Sequence, residues 1–285
     1  MLGIPLRYLL KHPRAAADLI ASPVETWTRV QDEFVFSREL RGPRFPYQAN
    51  RDWEAWLHKR IDAPWPCEFR EEFAALWSQV ISELESKGIR PGPESFAAWN
   101  DGDAGLVRTT WCLVRHTRPK RVVETGVAHG VTSRFILESL RRNGRGRLWS
   151  IDLPPIEKPL QQQVGVAVPA SLASEWTYIK GSSRLKLPKL LAELGEIGLF
   201  VHDSLHSERN VRFELDRAWT HLSPGGAVVV DDVDANRGFH SFTETFSGHS
   251  SAVCEAEPIR PDGRRFNKKG LFGIILKNPA RALAA

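Results

Sequence analysis

The sequence predicts an α/β fold built on a doubly wound, mostly parallel sheet of seven strands. Strand and helix patterns alternate with short links after residue 103, as they do in parallel strand–helix–strand units. Apolar runs such as LFV and AVVV are continuous rather than alternating, which is typical of strands covered on both faces. A glycine-containing turn, ETGVAHG, joins the first strand to a helix, and this turn makes the predicted fold Rossmann-like.

Composition indicates a globular protein with a large core. The chain has 285 residues, of which 42% are hydrophobic and 26% charged, and both values are close to globular averages. The formal charge of +5 is spread along the chain, and its densest basic stretch is residues 260–269, RPDGRRFNKK. Because that stretch contains Pro and Gly, we interpret it as a solvated loop rather than as a site for nucleic acid or another anionic partner, which remains the alternative.

Cysteine usage and hydropathy favour a cytoplasmic location. Cys67, Cys112 and Cys254 are scattered without CxxC spacing, which suits a reducing cytosol better than a disulfide framework. The amino-terminal MLGIPLRYLLKHPR is interrupted by Arg7 and has no small-residue cleavage site, so it is a poor signal peptide. No run of about 18 apolar residues occurs, and we expect no membrane span.

The first 100 residues differ from the rest and predict a separate helical appendage to a main domain at 101–285. Five of the ten tryptophans precede residue 80. They either pack the appendage onto the main domain or form an aromatic wall over a substrate pocket. The appendage is thus expected to be a substrate cap or an oligomerisation element, which leaves a homo-oligomer open. Ser22 and Pro23 predict one helix start.

Residues after Asp103 define the order of elements. Asp103 is expected to cap a helix over residues 103–116 and Ser207 another over SERNVRFELDRAWTHL. Further helices are predicted over VTSRFILESL and LPKLLAEL. Six of the seven expected strands can be located, over RVVETG, RLWSIDL, WTYIKG, IGLFVHD, GGAVVVDDV and GLFGIILK.

The turn after the first strand is suited to a nucleotide-like ligand other than a dinucleotide. Gly126 permits a sharp exit from the strand, and Gly130 lets backbone approach a ligand at the helix amino terminus. A dinucleotide fingerprint needs further glycines where Ala128 and Val131 stand, which disfavours a nicotinamide oxidoreductase. Glu124 would also repel phosphates while suiting the ammonium group of an amino acid.

Asp152 ends the second strand, where a carboxylate can accept both ribose hydroxyls of an adenosine. This order of an acid, two glycines and a second acid resembles class I methyltransferases that use S-adenosylmethionine (SAM). The resemblance implies that Glu124, Gly126 and Gly130 hold the methionine part of SAM and Asp152 the ribose. It also implies that Ser182, just past the third strand, contacts the adenine. The alternative is a structural turn with a helix-capping aspartate.

Three more carboxylates follow strands: Asp203 after LFVH, and Asp231 and Asp232 after AVVV. Parallel strands end at the same sheet edge, so these side chains should converge and repel one another unless a cation neutralises them. Hard oxygen ligands suit Mg²⁺, and such an ion would lower the pKa of a substrate hydroxyl. His206 follows Asp203 closely and is a candidate general base.

The alternative makes Asp203 and Asp231 capping or cofactor-side residues and His206 a surface histidine. The joint pattern, however, resembles the metal-dependent O-methyltransferases that modify sugar hydroxyls of macrolides and related natural products, a group that includes cephalosporin-hydroxylase-like and rhamnosyl methyltransferases. The matching segments are VVETGVAHGVTS, LWSIDLPP, LFVHDSLHSERNVRFEL and LSPGGAVVVDDV. The resemblance implies that Asp203, Asp231 and Asp232 coordinate the metal and that His206 is the base.

We therefore expect a Mg²⁺-dependent O-methyltransferase acting on a hydroxyl of a sugar or secondary metabolite. A metal-independent methyltransferase on another acceptor and a non-catalytic SAM-binding protein remain alternatives. Among the other histidines, His129 is expected to be exposed, with contact to the cofactor as the alternative. His202 is interpreted as structural, and His240 is a candidate for the substrate side.

Overall fold

The computed structural model describes residues 23–39, 42–89, 103–155, 158–257 and 270–279. The amino-terminal stretch, Ser22 and the basic stretch 260–269 lie outside these ranges. The described residues form one seven-stranded sheet of order β3-β2-β1-β4-β5-β7-β6, which confirms the predicted fold. The strands are β1 (Arg121–Thr125), β2 (Arg147–Asp152), β3 (Trp176–Lys180), β4 (Ile197–His202), β5 (Leu222–Val230), β6 (Ser250–Glu255) and β7 (Leu271–Leu276).

Strands β1 to β5 pair in parallel, whereas β7 runs antiparallel between β5 and β6. The chain order reverses between β1 and β4, so the carboxyl ends of those two strands flank the crevice where doubly wound folds bind ligands. Strand β6 was not predicted from its segment. Its sequence, SSAVCE, forms the sheet edge and lacks the continuous apolar run of the central strands.

Helices precede the sheet and cover both of its faces. They are α1 (Pro23–Glu39), α2 (Trp53–Arg60), α3 (Arg70–Ser86), α4 (Ala104–Thr117), α5 (Val131–Arg142), α6 (Lys158–Gln161), α7 (Ser183–Leu194), α8 (Glu208–His221) and α9 (Gly238–Thr245). The predicted caps are confirmed: Asp103 accepts a hydrogen bond from the Gly105 amide, and Ser207 from the Asn210 amide. The described part of helix α1 starts at Pro23, and the predicted cap at Ser22 lies outside the described residues.

The core consists of two apolar clusters, one on each face of the sheet. Val122 of β1 belongs to the cluster under α4 and α5, whereas its neighbour Val123 belongs to the cluster under α7, α8 and α9. Alternate side chains of one strand thus enter different layers. Both valines are fully buried, as the continuous apolar runs predicted.

Helices α2 and α3 share the first of these clusters. The Phe73 ring lies 5.0 Å from that of Phe135 on α5 and 6.2 Å from that of Trp111 on α4. Trp53 is buried in the same cluster, whereas Trp27 and Trp65 are each 49% exposed. Packing onto the main domain therefore accounts for Trp53. The domain boundary near residue 100 stays a prediction. Among the described helices, none is long and apolar enough to cross a membrane.

Candidate active site

The turn after β1 brings the ends of β1 and β4 into close contact. Gly126 has φ +86°, and a Cβ there would lie 1.8 Å from the backbone oxygen of Asp203. Only glycine fits this backbone conformation and this approach. Gly130 has φ +80°, and its Cβ would lie 2.9 Å from Cα of Gly165. Both predicted glycines are therefore required by the packing of neighbouring backbone.

The segment around Gly165 covers the glycine turn. The Gly165 amide donates to the Ala128 oxygen, and the Ala167 amide donates to the His129 oxygen, each at 2.9 Å. His129 is consequently only 2% exposed, and its Nε2 lies 3.1 Å from Oε1 of Gln163. The expectation that His129 is exposed was wrong, because sequence patterns did not show that this distant segment folds over the turn. Burial lowers the pKa of His129.

Glu124 is buried at the end of β1 with one oxygen still able to accept a hydrogen bond. Its Oε2 accepts from the hydroxyls of Ser133 at 2.6 Å and Ser150 at 2.7 Å. Its Oε1 is buried without a hydrogen bond among the described residues. Burial raises the pKa of Glu124 to about 7. This carboxyl thus fits a cationic donor such as the ammonium group of SAM.

The other two predicted cofactor residues lie on neighbouring strand ends. Oδ1 of Asp152 accepts a hydrogen bond of 3.2 Å from the Val127 amide, so this acid supports the glycine turn. Ser182 precedes α7, and its amide donates to the carboxylate of Glu25 at 3.0 Å. Helix α1 therefore reaches this end of the sheet. The Glu25 contact spans 157 residues and left no signal in the sequence.

Asp203, His206 and Asp231 come together at the ends of β4 and β5. Each offers one ligand atom, and the three atoms all lie within 4.8 Å of one another. His206 Nε2 is 3.8 Å from Oδ1 of Asp203. The carboxylate of Asp232 lies outside this group, and Asp232 begins a 3₁₀ turn with φ +47°. Its predicted role as a ligand stays a prediction.

Electrostatics in this group favour a bound cation. Burial, followed by the charges of Asp232 and Asp203, raises the pKa of Asp231 well above its ordinary value. Burial and the charge of Glu124 likewise raise the pKa of Asp203 to about 8. Carboxylates that disfavour their charged forms in this way are stabilised by a divalent ion. The two carboxylates are hard oxygen ligands of the kind that suits Mg²⁺ or Mn²⁺.

A second acid–histidine pair lies beside this group, with the His202 ring 5.5 Å from that of His206, and its acid is hydrogen-bonded on both oxygens. Nδ1 of His202 lies 2.6 Å from Oε2 of Glu214, and both side chains are completely buried. Glu214 also accepts hydrogen bonds from Thr125, Ser204 and Asn210. Against the effect of burial, the charge and hydrogen bond of His202 lower the pKa of Glu214 to about 2. The interpretation of His202 as a structural residue agrees with this geometry.

Sequence reasoning missed Glu214. It stands on a charged helix, ERNVRFELDRAWTH, where an acid ordinarily faces solvent. The available signal was its position one turn after Asn210, on the side of α8 that also buries Val211 and Leu215.

Comparison with known proteins agrees with this architecture. Residues 123–233 match the model of a family described as a methyltransferase domain. The O-methyltransferase TomG of Streptomyces achromogenes, involved in tomaymycin synthesis and solved with SAM, is 17% identical with a TM-score of 0.51, over 71% of this chain and 89% of that chain. An O-methyltransferase of Bacillus cereus solved with SAH is 13% identical with a TM-score of 0.52, over 79% and 98%. No curated protein matches.

The matched segment runs from β1 to the turn after β5 and contains every predicted cofactor and metal residue. This segment is thus similar to a methyltransferase domain, and the sheet has the fold of SAM-dependent methyltransferases. The comparisons do not assign the chain to the sugar O-methyltransferase branch that the sequence resembles.

Proposed function

We propose that this methyltransferase transfers the SAM methyl group to a hydroxyl of a sugar or another secondary metabolite, in a Mg²⁺-dependent reaction. The observation that carries this proposal is the convergence of Asp203, His206 and Asp231 within 4.8 Å, at the strand ends beside the glycine turn. Two structural neighbours are described as O-methyltransferases, and one of them acts in the synthesis of tomaymycin. They support a hydroxyl group of a small molecule as the methyl acceptor.

In this proposal Glu124 holds the ammonium group of SAM through its unbonded Oε1. Gly126 and Gly130 shape the turn that receives the methionine part. Asp152 binds the ribose, and Ser182, whose Oγ is buried without a hydrogen bond among the described residues, binds the adenine. SAM supplies an electrophilic methyl on sulfur, so the protein's task is to orient the acceptor oxygen and remove its proton.

Asp203 and Asp231 hold the cation, with Asp232 nearby. A bound Mg²⁺ would lower the pKa of the acceptor hydroxyl and orient it. His206 takes the proton. Its Nδ1 is buried without a hydrogen bond among the described residues, and its backbone oxygen accepts from Asn236 at 2.7 Å, which anchors its position. Because its Nε2 approaches Asp203, His206 is also within reach of the cation. Mutation of His206 therefore has to distinguish a general base from a metal ligand.

Methyl transfer from radiolabelled SAM to a panel of glycosides and hydroxylated aromatics tests the proposal. Product should form with Mg²⁺, disappear with EDTA and return when Mg²⁺ is added back. A turnover that is unchanged by EDTA on a true acceptor would remove the cation from the mechanism while leaving the enzyme class intact.

A further inference from the structure

A second group of metal-ligating side chains shares no residue with the candidate active site. His58 comes from α2, Cys67 precedes α3, and Cys112 and His116 lie one turn apart on α4. His58, Cys67 and Cys112 each offer a ligand atom, and these three atoms lie within 4.8 Å of one another. His116 adjoins them through Cys67. The function proposed above uses none of these four residues.

Two distances measured from Cys67 match those of a tetrahedral metal site. Cys67 Sγ lies 3.7 Å from Cys112 Sγ and 3.5 Å from Nε2 of His116. In a tetrahedral zinc site, bonds of about 2.3 Å to sulfur and 2.0 Å to nitrogen separate two sulfurs by about 3.8 Å and a sulfur and a nitrogen by about 3.5 Å. A disulfide instead requires a separation of about 2.05 Å. The observed spacing therefore fits shared coordination better than a covalent bond.

His58 offers the group a buried ring nitrogen. The side chain is 0% exposed, and its Nδ1 lies 2.8 Å from the backbone oxygen of Glu54. Because a carbonyl oxygen can only accept, Nδ1 carries the proton and Nε2 carries a lone pair. Nε2 is buried without a hydrogen bond among the described residues. Metal-bound histidines commonly have this arrangement, in which a backbone carbonyl orients the ring through the other nitrogen.

The chemistry of the group selects a soft cation. Two thiolates would neutralise one divalent ion. The Trp65 ring lies 5.1 Å from the His58 ring, and the Phe69 ring lies 4.8 Å from the His116 ring. Both aromatic rings cover part of the group. Sulfur and imidazole ligands favour zinc over magnesium or calcium.

We propose that His58, Cys67, Cys112 and His116 bind a structural Zn²⁺ ion that fastens α2 and the start of α3 to α4. Four protein ligands leave no open coordination position, which is the mark of a structural rather than a catalytic zinc. Binding energy at such a site contributes directly to folding. The site would stabilise the contact between the predicted appendage and the main domain.

Metal content measured by mass spectrometry on protein purified with a reductant tests this assignment. One zinc per chain is expected in the wild type, and Cys67→Ser and Cys112→Ser should lose it. Cys254→Ser is the matched control, since it removes the remaining cysteine from β6. Asp231→Asn should also retain zinc, which separates this site from the candidate active site. Equal zinc content in Cys67→Ser and Cys254→Ser would overturn the proposal.

Cobalt titration of metal-free wild-type protein gives a second test that does not depend on a variant folding. Tetrahedral cobalt with thiolate ligands produces intense visible absorption and a sulfur-to-metal charge-transfer band, and one equivalent should saturate both. His116→Gln should weaken cobalt affinity by at least ~10-fold. Absence of the charge-transfer band, or a Cys67–Cys112 disulfide in freshly reduced and re-isolated protein, would overturn the proposal.

Discussion

Two acid–histidine groups lie side by side at the end of β4 and differ in how their charge is balanced. Glu214 and His202 are completely buried, and the acid is surrounded by donors that lower its pKa to about 2. Asp203 and Asp231 face each other, and burial together with neighbouring acids raises the pKa of each. The rings of His202 and His206 are only 5.5 Å apart, so position alone does not explain the contrast.

The difference separates a structural pair from a binding site. A buried charge that the fold itself neutralises contributes to stability and has no need of a ligand. Acids that repel one another lower stability unless a ligand or a proton compensates them. We therefore expect mutations in the two groups to have opposite consequences.

The largest expected effect is on activity at Asp231. Asp231→Asn should remove most turnover, because the group loses a charged ligand that no other residue replaces. Its free energy of unfolding without metal should stay equal or rise, because one repulsive charge is removed. Methyl-transfer rates and chemical denaturation measure the two effects on the same preparation. Loss of both activity and stability would instead make Asp231 structural.

His206→Ala should lower the catalytic constant by roughly 10²–10⁴-fold, the usual contribution of a positioned general base. Binding of SAM and Mg²⁺ should change little. The contrary outcome, in which the variant no longer binds Mg²⁺, would assign His206 as a ligand. Full activity would show that it has neither role. Steady-state kinetics combined with calorimetry distinguishes these cases.

Glu214→Ala should destabilise the fold by about 3–5 kcal/mol, because it leaves a buried histidine without its acid. Asp216→Ala on the same helix is the matched control. Its carboxylate pairs with Arg212 at 3.3 Å near the surface, and such exposed pairs contribute little. Urea denaturation should therefore separate the two variants clearly, and equal effects would contradict the structural role of Glu214.

The smallest expected effect concerns Glu124 and pH. Burial raises its pKa to about 7, so the charged form that binds an ammonium group becomes available only as pH rises through that value. SAM affinity should increase through about pH 7 and decline once the amino group of SAM itself loses its proton near pH 8. Glu124→Gln should bind SAM more weakly and lose the increase. An unchanged pH profile in the variant would exclude Glu124 as the titrating group.

The sequence predicted those strands and site residues that local patterns determine. Continuous apolar runs identified β4 and β5, and strand-terminal acids identified Asp203 and Asp231 because parallel strands must end together. Strand β6 was missed because its sequence, SSAVCE, lacks that run. Contacts between distant segments were also missed: Glu25 with Ser182 spans 157 residues, and Cys67 with Cys112 spans 45.

Calorimetric titration of Mg²⁺ into the protein saturated with SAH tests whether Asp231 holds the cation. We expect one binding event in the wild type and in the surface control Asp216→Asn, and none in Asp231→Asn, while all three still bind SAH. Equal Mg²⁺ binding by Asp231→Asn and the wild type, or SAH-loaded wild-type protein that takes up no Mg²⁺, would contradict this role of Asp231.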